Sequence, residues 1–125
     1  MEKTLITREV SFHMGHRVPH HKSKCRNIHG HTYKVVIGVK GNIIETKGIS
    51  DEGMVIDFGD LKEILNKEVY EVVDHGFMIF YNDPFADIFK QLRDDHNQKI
   101  VYVDFIPTAE NIAKWIFDKL ESLIN

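Results

Sequence analysis

The chain has 125 residues, 42% hydrophobic and 28% charged, the composition of one globular domain with a modest core. A formal net charge of −3 offers no basic surface for nucleic acid, and no run nears the roughly 18 uninterrupted apolar residues of a membrane-spanning helix. A single cysteine, Cys25, excludes an internal disulfide framework, so a reducing cytoplasm is the expected compartment.

Residues 1–125 carry no repeat, low-complexity tract or linker, which predicts a single domain. From Thr4 to Met14 the even positions alternate imperfectly, as in a half-buried strand. His31–Lys40 alternates better, with Tyr33, Val35, Ile37 and Val39 on one face and Thr32, Lys34 and Lys40 on the other. Lys40–Gly53 contains three glycines and reads as turns. Leu61, Ile64, Leu65, Val69, Val72 and Val73 then recur at helical spacing, with Asp57 or Asp60 as the cap. Asp83-Pro84 has the form of an N-cap followed by proline at the first helical position, and its apolar stripe is Phe85, Ile88, Phe89 and Leu92. The β-branched and aromatic run Ile100–Ile106 predicts a short strand. Thr108 caps a last helix, with Glu110 in the favourable first turn and Ile112, Ile116, Leu120, Leu123 and Ile124 on one side. This order of elements is α+β.

Eight histidines in so short a chain point to metal or acid–base chemistry. In His29-Gly30-His31 the two imidazoles share a strand face, because side chains two apart point the same way. If the first two strands pair antiparallel, His16 at the end of the first meets His29 and His31 at the start of the second. Three histidines with an open fourth position are the ligand set of a catalytic zinc. The alternative is three unrelated histidines, and the pattern of a pair plus a third at the hairpin position weighs against it. His13 has the opposite parity to His16 and is expected to face away; His20 and His21 are expected to be solvated loop residues.

Cys25 lies four residues before His29 among Lys22, Lys24 and Arg26, where a thiol ionises more easily. It is a candidate base or nucleophile; an inert thiol or a fourth zinc ligand are the other readings. Asp74-His75, at the end of the long helix, is a candidate acid–base dyad, or simply a polar helix end. Arg17, Lys22, Lys24 and Arg26 would suit a polyanionic substrate such as a phosphate ester, or form a solvated loop.

Phe12-His13-Met14-Gly15-His16-Arg17, Cys25-Arg26-Asn27-Ile28-His29-Gly30-His31, Val55-Ile56-Asp57-Phe58, Val73-Asp74-His75 and Pro107-Thr108-Ala109-Glu110-Asn111 occur in that order. From about Val10 to about Leu120 this resembles the 6-pyruvoyltetrahydropterin and 6-carboxytetrahydropterin synthase family, and the three-residue spacer between Cys25 and His29 resembles the carboxy branch. The resemblance implies the tunnelling fold, an antiparallel sheet with two long helices on one face, assembled as a homo-oligomer, usually a hexamer built from two trimers with sites between subunits. It implies zinc on His16, His29 and His31, Cys25 as proton acceptor, His75 supported by Asp74 as acid–base partner, and Thr108 beside the pterin. The implied reaction converts 7,8-dihydroneopterin triphosphate to 6-carboxy-5,6,7,8-tetrahydropterin, acetaldehyde and triphosphate, a step toward queuosine. A pyruvoyl-forming enzyme and a zinc-stabilised, non-catalytic pterin-binding module are the alternatives. Family members continue past the last helix with two strands, the first bearing a pterin-anchoring glutamate, for which this sequence, ending at Asn125, has no counterpart. Gly15 stands where the family commonly has alanine, an exchange expected to be harmless.

Overall fold

A computed structural model describes residues 2–124. Among the described residues four strands form one sheet, in the order β2 (His29–Gly41), β1 (Thr4–His16), β3 (Gly76–Phe80), β4 (Ile100–Val103). β1 (Thr4–His16) and β2 (His29–Gly41) pair antiparallel over their whole length, from Thr4 opposite Gly41 to His16 opposite His29. The alternation read from the sequence is realised. Phe12, Met14 and His16 point to the buried face with Tyr33, Val35, Ile37 and Val39.

The long helix starts at α1 (Phe58–Leu65), passes through a π turn (Asn66–Tyr70) and ends in α2 (Glu71–Val73). Asp57, not Asp60, caps it, accepting from the backbone N–H of Gly59 at 2.6 Å. Its buried residues, Leu61, Leu65, Val69 and Val73, are spaced by four. In a regular helix such a stripe drifts by about 40° per step; the wider π turn offsets that drift and keeps the stripe on the sheet. α4 (Ala109–Ile124) adds Ile112, Ile116 and Leu120 to the same core, so both long helices cover one sheet face as expected. Thr108 caps α4 through Asn111 N–H at 3.2 Å, whereas Leu123 is exposed.

The sheet departs from the expected antiparallel form. A strand that the sequence reading omitted, β3 (Gly76–Phe80), runs parallel to β1 and to β4 (Ile100–Val103), so the sheet is mixed. β3 is a continuous apolar run because both faces are covered. Met78 enters the main core, while Phe77 stacks on Phe89 of α3 (Ala86–His96) on the other side. α3 is the crossover that a parallel β3–β4 pair requires. It begins at Ala86 rather than at the Asp83-Pro84 start, because Asp83 caps the preceding turn, accepting from Phe85 N–H at 2.8 Å. β4 stops at Val103, short of the expected Ile106.

Gly15 is not interchangeable with alanine here. A Cβ at Gly15 would lie 2.7 Å from Cδ2 of Phe77, whose ring is held by Phe89 at a centroid distance of 4.3 Å. Reduced freedom of the unfolded chain favours alanine by about 0.4–1 kcal/mol, but overpacking costs about 1–3 kcal/mol and wins. Gly15→Ala is therefore expected to lower the melting temperature. The loss should shrink in a Phe77→Leu background, as thermal unfolding of the four proteins in a double-mutant cycle will show.

Candidate metal centre and histidine–aspartate dyad

Pairing of His16 with His29 brings three imidazoles together at one end of the β1–β2 ribbon. One ring nitrogen from each of His16, His29 and His31 lies within 4.8 Å of the others. The rings stand 4.6 to 5.1 Å apart at steep mutual angles, so their edges converge rather than stack. His16 is buried, His29 half-buried and His31 exposed, which leaves the group open on one side.

Hydrogen bonds fix which nitrogens are free. Nδ1 of His16 donates to the Pro107 carbonyl at 2.7 Å, and Nδ1 of His29 donates to the Asn27 carbonyl at 2.6 Å. A carbonyl only accepts, so each Nδ1 carries the proton and each Nε2 presents a lone pair. Nε2 of His16 is buried with no hydrogen-bond partner, an arrangement that costs free energy unless something fills it. Burial lowers the pKa of His16, against the Pro107 carbonyl, which raises it; His29 and His31 lower it further. The neutral, metal-binding form is thus favoured. This donor set fits a divalent metal of the zinc type.

Cys25 sits on a short 3₁₀ turn (Lys24–Arg26), half-buried, with its carbonyl accepting from Val18 N–H at 2.8 Å. It is not part of the three-histidine group, so among the described residues the geometry does not form a closed four-ligand centre. Thr108 lies next to Pro107, the carbonyl that orients His16, with its hydroxyl engaged in capping α4.

Arg17 does not join the basic loop. It is buried, its Nη1 pairs with the buried Asp83 carboxylate, its Nε donates to the Arg26 carbonyl at 3.0 Å, and its guanidinium covers Phe85. A guanidinium so engaged is unavailable to an anion, and Lys22, Lys24 and Arg26 are the exposed cations of that loop. The basic loop was legible in the sequence; the partner that withdraws Arg17 from it is 66 residues away.

Asp74 and His75 do touch: Nδ1 of His75 donates to Oδ2 of Asp74 at 2.7 Å, leaving Nε2 free. His75 adopts a left-handed φ of 59°, and its N–H reaches the His13 carbonyl at 2.7 Å. Lys99, absent from the sequence reading, donates to the carbonyls of Glu71 and Asp74 at 2.8 and 2.6 Å and so ties down the helix end. His13 N–H donates to Oδ1 of Asp74 at 2.9 Å. That bond and, second, the bond from His75 hold the Asp74 carboxyl at a pKa of about 2. The dyad sits beside the His13 ring, whose parity places it on the sheet face opposite His16. One chain therefore keeps the three-histidine group and the dyad on opposite faces of β1.

The chain belongs to the 6-pyruvoyl tetrahydropterin synthase family, whose model matches residues 5–125. The 6-carboxy-5,6,7,8-tetrahydropterin synthase of Haemophilus influenzae is 38% identical over 116 residues, 93% of this chain and 81% of that protein. The enzyme of the same name from Synechocystis is 37% identical over 117 residues, 94% and 74% of the two chains. Among solved structures, an uncharacterized protein from Wolinella succinogenes superposes with a TM-score of 0.75 at 27% identity, covering 100% of this chain and 87% of that one. Caenorhabditis elegans 6-pyruvoyl tetrahydropterin synthase does so at 0.64 and 28% identity, covering 98% and 79%.

Because the folded-state pKa of Asp74 lies below that of an unfolded aspartate, near ~3.9, its contribution to stability is complete above that range and is lost as pH falls through about 2. Between these limits wild-type stability should fall more steeply with acid than that of Asp74→Asn. Denaturant unfolding of both proteins from pH 2 to 5 checks this.

Proposed function

We propose that the protein is a zinc-dependent lyase converting 7,8-dihydroneopterin triphosphate to 6-carboxy-5,6,7,8-tetrahydropterin, acetaldehyde and triphosphate, in the cytoplasm and on the route to queuosine. The names of its relatives from Haemophilus influenzae and Synechocystis support the substrate class. The observation that carries the reading is the convergence of three imidazoles, one of them with a buried, unpartnered Nε2.

His16, His29 and His31 would hold the metal, with Pro107 and Asn27 fixing the tautomers of the first two. Zinc, when bound, supplies a Lewis acid toward a hydroxyl or carbonyl oxygen. Cys25 is the proton acceptor on the substrate side chain. His75, its Nδ1 proton held by Asp74, receives and returns a proton at Nε2. Thr108 lies where the pterin is held. Since the dyad and the three-histidine group occupy opposite sheet faces, the complete site takes Cys25 from one copy and His75 from another. On this reading the protein is a homo-oligomer, and the family resemblance implies a hexamer built from two trimers. A pyruvoyl-forming enzyme would use the same residues and differ in its product.

Zinc-loaded protein supplied with 7,8-dihydroneopterin triphosphate should yield carboxytetrahydropterin and acetaldehyde by mass spectrometry; a pyruvoyl product would move the assignment to the sister activity. His29→Ala should lose the bound zinc and the stabilisation that zinc gives the wild type, about 2.7 kcal/mol at a hundredfold excess over Kd, read as a rise in melting temperature. Cys25→Ala should keep one zinc per chain and lose turnover by about 10²–10⁴-fold. Loss of zinc from Cys25→Ala would instead make that cysteine a ligand.

A further inference from the structure

We propose that His13 is a positioning residue of the dyad: its ring, pinned by Thr32, holds the His75 imidazole in the orientation that turns Nε2 into the outer cleft. The proposal rests on His75 serving as the acid–base group.

His75 needs such support. Its side chain is 77% exposed, and Asp74 Oδ2 is the hydrogen-bond partner the structure gives its ring. One hydrogen bond at Nδ1 fixes the tautomer but leaves the ring free to rock about that bond. His13 removes this freedom. Its ring stands edge-on to that of His75, with centroids 5.9 Å apart and planes at 77°, the arrangement that imidazole and other aromatic rings favour. His13 is held in turn, because its Nδ1 lies 3.0 Å from Oγ1 of Thr32, its direct partner across β1 and β2.

The backbone of the same residue serves the same end. His13 N–H bonds Asp74 Oδ1, and its carbonyl accepts from His75 N–H. Any residue but proline at position 13 would supply those two bonds; the edge contact needs an aromatic ring. Thr32, His13 and His75 line one open cleft of about 480 Å³. Gly15 and Gly30 also line it, with the Phe77 ring packed over Gly15, 2.7 Å from where a Cβ there would stand.

The test follows the His75 ring directly, by NMR of full-length, zinc-loaded protein with isotope-labelled histidine, beside steady-state kinetics. In the wild type His75 should show a single tautomer protonated at Nδ1. His13→Ala should shift and broaden the His75 ring signals as the ring gains rocking freedom, while the Nδ1-protonated tautomer held by Asp74 is kept. It should also lower kcat by about tenfold with KM within about twofold, the pattern of lost orientation rather than lost binding. His13→Phe, which keeps the edge contact, should restore both. Thr32→Val, which removes only the hydroxyl, should move the same signals less and decides the matter if His13→Ala does not fold. His75 signals in folded His13→Ala or in Thr32→Val that coincide with the wild type would overturn the proposal, as would failure of His13→Phe to restore them. Absence of turnover in the wild type would count against the reaction and leave the NMR result standing on its own.

Discussion

The hydrogen bond from Nδ1 of His16 to the Pro107 carbonyl spans 91 residues of sequence and joins the end of β1 to the turn that opens α4. It requires the helix to be docked, because Pro107 reaches His16 only when Ile112, Ile116 and Leu120 are packed on the sheet beside Phe12 and Met14. Docking of the core and orientation of the His16 ring are therefore one event. The bond also turns the His16 lone pair inward and leaves it unpartnered, a cost that a bound metal would remove.

β1 is used on both faces. His16 looks toward the helices and His13 looks away from them, three residues apart along a strand whose side chains alternate. The backbone of His13 binds both members of the dyad, so the strand that carries His16 of the three-histidine group also anchors Asp74 and His75. A thin sheet between the two groups keeps them from meeting within one chain.

Much of this was legible in the sequence where periodicity or short-range chemistry carried the information. The alternation of His31–Lys40, the stripe from Leu61 to Val73 and the His-Gly-His pair each state a local rule that the fold obeys. What escaped depended on distant partners. β3 lacks alternation because α3 and the main core cover its two faces, so it resembled no half-buried strand. Arg17 read as a surface cation until Asp83 buried it, and Asp83 read as a helix cap until Arg17 shared its carboxylate. The parity of His13 was read correctly; its use was not, because the left-handed turn at His75 that brings the dyad to the outer face leaves no mark in composition. Gly15 looked exchangeable for the same reason, since Phe77 belongs to the strand that was not seen.

The central claim is an open, three-histidine metal centre, and X-ray absorption at the zinc edge of the zinc-loaded protein addresses it most directly. Three imidazole nitrogens at about 2.0–2.1 Å with one further light scatterer and no sulfur are predicted. A sulfur scatterer at about 2.3 Å would mean that Cys25 closes the centre, and would contradict both the open site and the role of Cys25 as proton acceptor.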